Sequence, residues 1–253
     1  MQAGVTPTCT QVAVHLYRQR LEHVVPVSST QVAEMVKLLE NTFRSVNIGL
    51  VNELAMMCSK FGIDVWEVIE AAATKPFGFM PFFPGPGLGG HCIPIDPFYL
   101  SWKARATGFE ARFIELAGSV NGQMPNHVVN LVAEALNMRG RAVRGSKVLV
   151  LGVAYKANID DTRESPSLDI METLRQRGAK IEYSDPFVPA LAFAGTKLKS
   201  VALTPAQLKR FDCVVVATAH RSFPYGSVLR HSKAVVDTRN AFKGRTSKKI
   251  VRL

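Results

Sequence analysis

Apolar side chains return at steps of three and four between residues 36 and 57: Val36, Leu39, Phe43, Val46, Leu50, Leu54 and Met57. This period predicts a helix of about eight turns with a buried stripe. Ser28 and Gln31 stand three apart before it, where a hydroxyl and an amide side chain can satisfy two free backbone N–H groups reciprocally. Gly62 interrupts the pattern, and IDVWEVIEAAAT restarts it with Asp64 at the positive end of a second helix. PFYLSWKARAT predicts a short helix, and FEARFIELAGSVNGQMPNHVVNLVAEALNMRG a long helical segment broken near Gly122 to Pro125. Residues 8–24 also have helical spacing, through Val12, Leu16 and Val24.

The texture changes at Arg144. KVLVLGV, AKIEYSDP, FDCVVVATA and KAVVDTR read as strands, with SPSLDIMETLRQRG and TPAQLKR as helices between them. Strands that alternate with helices imply right-handed crossovers and a parallel sheet covered on both faces. The expected class is therefore α/β, an all-helical part followed by a nucleotide-binding-like sheet domain. The boundary falls near RGRAVRGS, residues 139–146, which divides the chain into 1–26, 27–143 and 144–253.

With 253 residues, 47% hydrophobic, 20% charged and a mean hydropathy of +0.09, the chain can fill one large core or two modest ones. That balance excludes disorder and a fibrous repeat. Lys and Arg outnumber Asp and Glu by 31 to 20, a net charge of +11 that favours an anionic partner. Nucleic acid is not the expected one, because the basic closing stretch KGRTSKKIVRL lacks interleaved aromatics and reads as a solvated tail. Cys9, Cys58, Cys92 and Cys213 form no CxxC pair, which argues against a structural metal site or a disulfide framework and for a reducing cytoplasm. The start lacks the build of a signal peptide. The uncharged run Pro76 to Ile95 holds five prolines and five glycines, so it is expected as a folded loop and not as a membrane span.

That loop carries the densest chemical signal. Gly85, Gly87, Gly89 and Gly90 allow close backbone approach to a ligand and leave N–H groups free, while Pro84, Pro86 and Pro94 stiffen the turn. Cys92 ends it. A thiol attacks as the thiolate, so a nucleophilic role needs a neighbouring positive charge or donor. His91 is adjacent, and Asp96 four residues on can position water. Lys37 and Asn41 share one helix face, where they can hold an oxyanion or activate water if that face meets the loop. Gly152 to Asp169 leaves a strand and enters a helix, the edge at which open α/β sheets bind ligands, yet it has no GxGxxG. Lys156, Arg163 and Arg239 can meet phosphate by charge; each also reads as a surface cation. Cys58 and Cys213 read as core residues, His127 and His220 as lone histidines, and Trp66 and Trp102 as helix packing.

With these residues set out, the chain resembles the nucleotide-sugar 6-dehydrogenase family, the UDP-glucose and UDP-N-acetylhexosamine dehydrogenases. AEMVKLLENTFRSVNIGLVNELA, PFFPGPGLGGHCIPIDPFYLSWKA, VLGVAYKANIDDTRESPS and YSDP stand in the family's order and cover almost the whole chain. PGPGLGGHCIPIDPFYL is similar to the branch acting on UDP-N-acetylglucosamine or its 2-epimer. The resemblance implies a central dimerisation domain, a Rossmann-like UDP-binding domain, and oxidation of a sugar C6 alcohol to a carboxylate with two NAD+, feeding polysaccharide synthesis. It makes Cys92 the nucleophile that captures the aldehyde as a thiohemiacetal and then carries a thioester. Lys37 and Asp96 would handle oxyanion and water, and Asn41 would donate to the reacting oxygen. Phe83, Pro84, Gly85, Gly87 and Gly89 would line the sugar-nucleotide pocket, with Lys156 and Arg239 touching substrate and Arg163 and Ile93 touching NAD. The central helices would pair two copies.

Two departures shape the expectation. The family begins with a complete NAD-binding domain carrying GxGxxG, and Met1 falls where that domain would be ending, as if residues 1–26 were its remnant. An NAD domain would then have to be supplied separately. The UDP-glucose branch also places an arginine about sixteen residues before the cysteine, at the position of Pro76 here. The alternative is a UDP-sugar-binding and dimerising fragment without turnover; hydrolysis at Cys92 with His91 as base rests on adjacency alone.

Overall fold

A computed structural model describes residues 1–253. The first helix, Pro7–Arg18 (α1), starts at Thr6, whose hydroxyl accepts the Cys9 N–H at 3.1 Å, and it buries no residue. Val12 and Leu16, the expected apolar face, are exposed, and Val24 lies beyond the helix end.

The long helix is Thr30–Phe61 (α2). Its cap is Ser29 and not Ser28: the Ser29 hydroxyl accepts the Val32 N–H at 3.2 Å. Gly62, at φ 70°, closes the other end in the left-handed region that favours glycine. The period is as expected, but the facing is met only in part: Val36, Val46 and Leu54 are half-buried. Leu39, Phe43, Leu50 and Met57 point outward at 63%, 45%, 61% and 45% exposure. Asn41, Ser45, Gly49, Val51, Asn52, Ala55 and Cys58 are buried instead. The cause is a close helix–helix seam: a Cβ at Gly49 would lie 3.2 Å from the Ala117 Cα, leaving no room for large side chains.

Val65–Ala72 (α3) is capped by Asp64, which accepts the Trp66 N–H at 2.9 Å. Asp96–Arg105 (α4) follows the Pro/Gly loop. Arg112–Asn137 (α5) runs unbroken through Pro125, so the expected break is absent. A proline inside a helix removes one hydrogen bond and costs about 3 kcal/mol. Burying each of Met124, Val128, Val129, Leu131, Val132 and Leu136 contributes roughly 1.5–3 kcal/mol, which outweighs it. Trp66 is buried as expected and donates its indole N–H to the Leu253 carbonyl at 3.2 Å, whereas Trp102 is 72% exposed and packs no core.

The second half comprises Lys147–Leu151 (β1), Pro166–Gln176 (α6), Lys180–Ser184 (β2), Ala190–Phe193 (β3), Thr196–Lys199 (β4), Pro205–Arg210 (α7), Cys213–Val216 (β5), Tyr225–His231 (α8), Val235–Asp237 (β6) and Ile250–Arg252 (β7). Five strands form one parallel sheet in the order β2-β1-β5-β6-β7, with Val148 opposite both Ile181 and Cys213 and Val214 opposite Val235. From Val148 and from Cys213 onward, β1 and β5 are continuous apolar runs because both faces are covered. Val148 and Val150 join a core shared with α2, α5 and α6, while Leu149 and Leu151 join Phe211, Val228 and Phe242 on the other side. The closing stretch is not a solvated tail: Ile250–Arg252 pairs with β6, and Leu253 is buried. The β3–β4 hairpin and α8 carry too few patterned positions to be read in advance.

β1 lies between β2 and β5, so the chain reverses direction across the sheet there, and the carboxyl ends around this point form its ligand edge. Gly152, at φ 80°, allows that crossing, since a Cβ there would collide with Thr218. Asp185 fastens the edge. It accepts N–H groups from Val153 (2.8 Å), Ala154 (3.2 Å), Phe187 (2.8 Å) and Val188 (3.2 Å), and pairs with His220 Nε2 at 3.0 Å. His220 is therefore not a lone histidine. Its Nδ1 accepts the Asn158 N–H at 2.9 Å, which leaves Nε2 as the donor to Asp185.

Burial pushes the Asp185 carboxyl up, but the hydrogen bonds from His220, Phe187, Val153 and Ala154 outweigh it and hold the group below the ordinary carboxylate range. Asp185→Asn is expected to cost about 3 kcal/mol, a fall in Tm of roughly 6–12 °C by calorimetry. A depressed carboxyl contributes its full stabilisation above the unfolded pKa and loses it as pH falls through the folded one. The Tm gap between wild type and variant should therefore close in acid and persist at neutral pH; a gap unchanged at all pH values would contradict this.

Candidate functional site

The Pro/Gly loop is wedged between the helical layer and the sheet edge. Its floor is a chain of buried amides: the Gly85 N–H donates to Asn52 Oδ1 at 2.9 Å, Asn52 Nδ2 to Asn121 Oδ1 at 2.8 Å, and Asn121 Nδ2 to the Ser45 carbonyl at 3.0 Å. Its roof is the segment after β1. A Cβ at Gly87 would lie 3.1 Å from Pro166, and one at Gly89 2.7 Å from the Tyr155 Cβ; the Gly90 N–H reaches the Arg163 carbonyl at 3.3 Å. The glycines thus give close approach chiefly to protein atoms, and the N–H groups of Gly85 and Gly90, expected free, are engaged. Pro84 is buried, and Phe83, 47% exposed, stacks on Trp66 with ring centroids 5.9 Å apart.

Cys92 is exposed at the loop's end. Its carbonyl accepts the Ile95 and Asp96 N–H groups at 3.1 and 2.8 Å, the turn from which α4 starts. This brings Asp96 Oδ2 to 2.7 Å from Asn41 Nδ2, joining residues that lie 55 apart in the chain. Asn41 is 1% exposed, and its Oδ1 has no protein partner. Lys37 lies one turn earlier on α2; its exposed ammonium is 3.9 Å from Glu40 Oε2, and no hydrogen bond joins it to Cys92. His91 Nδ1 is 4.0 Å from the Cys92 Sγ. Ile93, next in the turn, is half-buried.

Arg163 reaches the same corner. Its guanidinium grips Asp161 at 2.6 Å, which holds that carboxyl down at about 2. Arg163 is in turn held above its ordinary value, first by the hydrogen bonds to Asp161 and then by the charge of that carboxylate. Lys156 stands exposed on the segment after β1, which is tied down by Tyr155 N–H to Asp161 carbonyl at 2.9 Å and by His220.

Arg239 ends β6. Its backbone N–H donates to Asp237 Oδ1 at 3.1 Å and its Nε to the Ala217 carbonyl at 2.9 Å. The guanidinium fills the space that a Gly85 side chain would take: a Cβ there would lie 2.9 Å from Cζ. Burial alone accounts for the lowering of its pKa to about 10, and no carboxylate balances it. A cation still charged at neutral pH, packed and unpaired at the ligand edge of a parallel sheet, is a seat for an anion. The amides Asn52 and Asn121 escaped the sequence reading because a polar residue inside a helical run looks solvent-facing; their only signal is an Asn amid apolar and small residues in LVNELA and GSVNGQ.

Models of the UDP-glucose/GDP-mannose dehydrogenase family match twice, the central domain over residues 31–123 and the UDP binding domain over residues 149–244. The chain belongs to this family. The structure of the UDP-D-ManNAc dehydrogenase of Pyrococcus horikoshii superposes with a TM-score of 0.87 at 32% identity, covering 99% of this chain and 58% of that one. The UDP-N-acetyl-D-mannosamine dehydrogenase of Methanococcus maripaludis is 35% identical over 220 residues, 87% of this chain and 48% of the relative. The UDP-N-acetyl-D-glucosamine 6-dehydrogenase of Pseudomonas aeruginosa is 35% identical over 225 residues, 87% of this chain and 52% of its own. The chain spans about half the length of the curated relatives it matches. The shared architecture is the helical region followed by the five-stranded parallel sheet. No helix is long and apolar enough to cross a membrane, and no cluster of three or more His, Cys, Asp or Glu is placed to hold a metal ion.

The thiols differ sharply in access. Cys9 and Cys92 are exposed, while Cys58 and Cys213 are buried, and burial pushes the Cys213 thiol up to about 12. Ellman's reagent is expected to titrate two thiols in the native protein and all four after denaturation, with Cys92→Ser removing one of the fast pair. Reaction of a single native thiol, or of all four, would contradict this placement.

Proposed function

We propose that this chain is the substrate-holding, thiol-bearing part of a nucleotide-sugar 6-dehydrogenase that oxidises the C6 alcohol of a UDP-N-acetylhexosamine to the uronic acid. The observation that carries this reading is the contact of Arg239 with Gly85: the unpaired cation that suits a diphosphate sits on the same stiff loop that ends at Cys92. The likeness to relatives named for UDP-N-acetylmannosamine and UDP-N-acetylglucosamine supports the sugar class.

In this reading Arg239, with Lys156, binds the diphosphate, and the loop from Phe83 to Gly89 directs the sugar toward Cys92. The sulfur adds to the C6 aldehyde, forming the C–S bond of a thiohemiacetal as the carbonyl oxygen takes a proton. Covalent capture keeps the intermediate from escaping between oxidations. Asn41, buried and bonded to Asp96, orients that carboxylate toward the water that cleaves the later thioester. Lys37, one turn away on α2, would offset charge on the reacting oxygen.

The oxidations to the aldehyde and from thiohemiacetal to thioester would each need NAD+ as hydride acceptor, and the residues of this chain do not fit a dinucleotide. The first βα turn carries Gly152 alone of the GxGxxG glycines, and the loop's Gly89 is packed against the Glu164 carbonyl and Pro166 at the start of α6, where a pyrophosphate would lie. Arg163 and Ile93 can border the nicotinamide beside Cys92, and the cradle would have to come from another domain. The same observation favours a second reading, a UDP-sugar-binding fragment without turnover.

Calorimetric titration decides the core of the proposal. The chain is expected to bind UDP, with Arg239→Ala weakening it about 10–100-fold, the loss of a charge-assisted bidentate contact. No NADH should form with UDP-N-acetylglucosamine or UDP-N-acetylmannosamine until a nicotinamide-binding domain of a relative is added. Absence of UDP binding would sink the assignment, and robust turnover by the chain alone would refute the missing-cradle argument.

The outward stripe of α2, with Met35, Leu39, Phe43, Leu50 and Met57 exposed, supports a homodimer formed through the central helices. Light scattering at micromolar concentration is expected to give twice the 27.7 kDa chain mass. The double variant Leu39→Glu, Leu50→Glu should give the monomer, and a wild-type monomer would count against this interface.

A further inference from the structure

The buried amides beneath the loop have a direction that only one assignment satisfies. The Gly85 N–H can only donate, so Asn52 must present Oδ1 to it; Asn52 Nδ2 then faces Asn121, which must answer with Oδ1. Asn121 Nδ2 is left for the Ser45 carbonyl, which can only accept. Every link is fixed by the two ends, and neither amide can flip without facing donor against donor. Asn52 and Asn121 are 0% and 4% exposed in a seam otherwise closed by small and apolar residues. Two primary amides are costly to bury there unless fully bonded, and what their bonds hold is the one loop residue on which Arg239 rests.

Arg239 has little else to hold it. Its side chain has one hydrogen bond, Nε to the Ala217 carbonyl, and no carboxylate; Gly85 sets the other wall. Loop and arginine come from opposite layers, so the height of Gly85 above α2 fixes how far the guanidinium can reach from the sheet edge. We infer that Asn52 and Asn121 are positioning residues that set the Arg239 guanidinium through Gly85, so that nucleotide diphosphate affinity is controlled from the α2–α5 seam. This rests on Arg239 being the diphosphate seat, and it adds residues that touch no substrate.

The test has a ligand-free arm and a ligand arm on the full chain. In 15N spectra the Arg239 Nε–H signal is identified by its loss in Arg239→Lys. Asn52→Leu is expected to shift or broaden that signal while the backbone amides of Val148–Leu151 and Cys213–Val216 stay in place. An unmoved signal overturns the inference whether or not UDP binds. In titrations, Asn52→Leu should weaken UDP about 10-fold and leave uridine within 2-fold, because only the diphosphate meets Arg239. Equal loss for both ligands, the mark of a merely structural role, or no loss for either overturns it. On the Arg239→Lys background the same substitution should add less than 2-fold, and full additivity would mean that the amides act elsewhere. Asn121→Leu keeps the Gly85 hydrogen bond while freeing its anchor, and should move the Arg239 signal the same way by less; it serves if Asn52→Leu does not fold. Failure of wild type to bind UDP would remove the diphosphate reading and leave the spectroscopic arm to decide the positioning.

Discussion

The candidate site depends on a loop that carries no side chain at the three glycines where it meets the sheet edge. Gly85, Gly87 and Gly89 are places where a Cβ would strike Arg239, Pro166 or Tyr155, so the loop is thin enough there for the sheet edge to settle on it. Beneath it the Asn52–Asn121 chain, and beside it the Asp185–His220 pair, meet the backbone's hydrogen-bonding needs in a region where water is excluded. Glycine provides the approach and buried polar side chains provide the register. Neither would suffice alone, since a thin loop without fixed partners would wander and a fixed one with side chains would not fit.

What the chain reveals before folding divides along this line. β1 and β5 are legible because burial on both faces leaves an unbroken apolar run, and the alternation of strands with helices already implies the parallel sheet. The period of α2 is legible, its orientation only in part. Leu39, Phe43, Leu50 and Met57 face outward while Asn41, Asn52 and Gly49 face inward, because a close helix seam selects for size before hydrophobicity. Pro125 misleads for a related reason: one lost hydrogen bond is small beside the apolar surface that α5 buries on both sides of it. β7 is missed since a three-residue edge strand among lysines and arginines has no period to detect.

The candidate site shows the same division. Cys92, the glycines and the basic residues announce themselves by type and grouping. The pairing of Asn41 with Asp96 does not, because nothing in spacing shows that a helix face meets a turn 55 residues later. His220 looks solitary in the chain and proves to be bonded on both ring nitrogens. Residues that act by touching a ligand tend to be unusual in sequence, whereas residues that hold others in place are ordinary polar side chains whose partners only folding supplies.

α5 belongs to two bodies at once. One flank lies along α2 and the other along α6, β5 and β6, with a single apolar core running through it from Val51 to Val236. The segment between Asn137 and Lys147 looks like a hinge on paper, yet it is more nearly a splice. Expressing the helices and the sheet as separate polypeptides would strip half of this shared rod of its cover. The molecule is therefore expected to melt as one unit, and a cut there to cost solubility as well as binding.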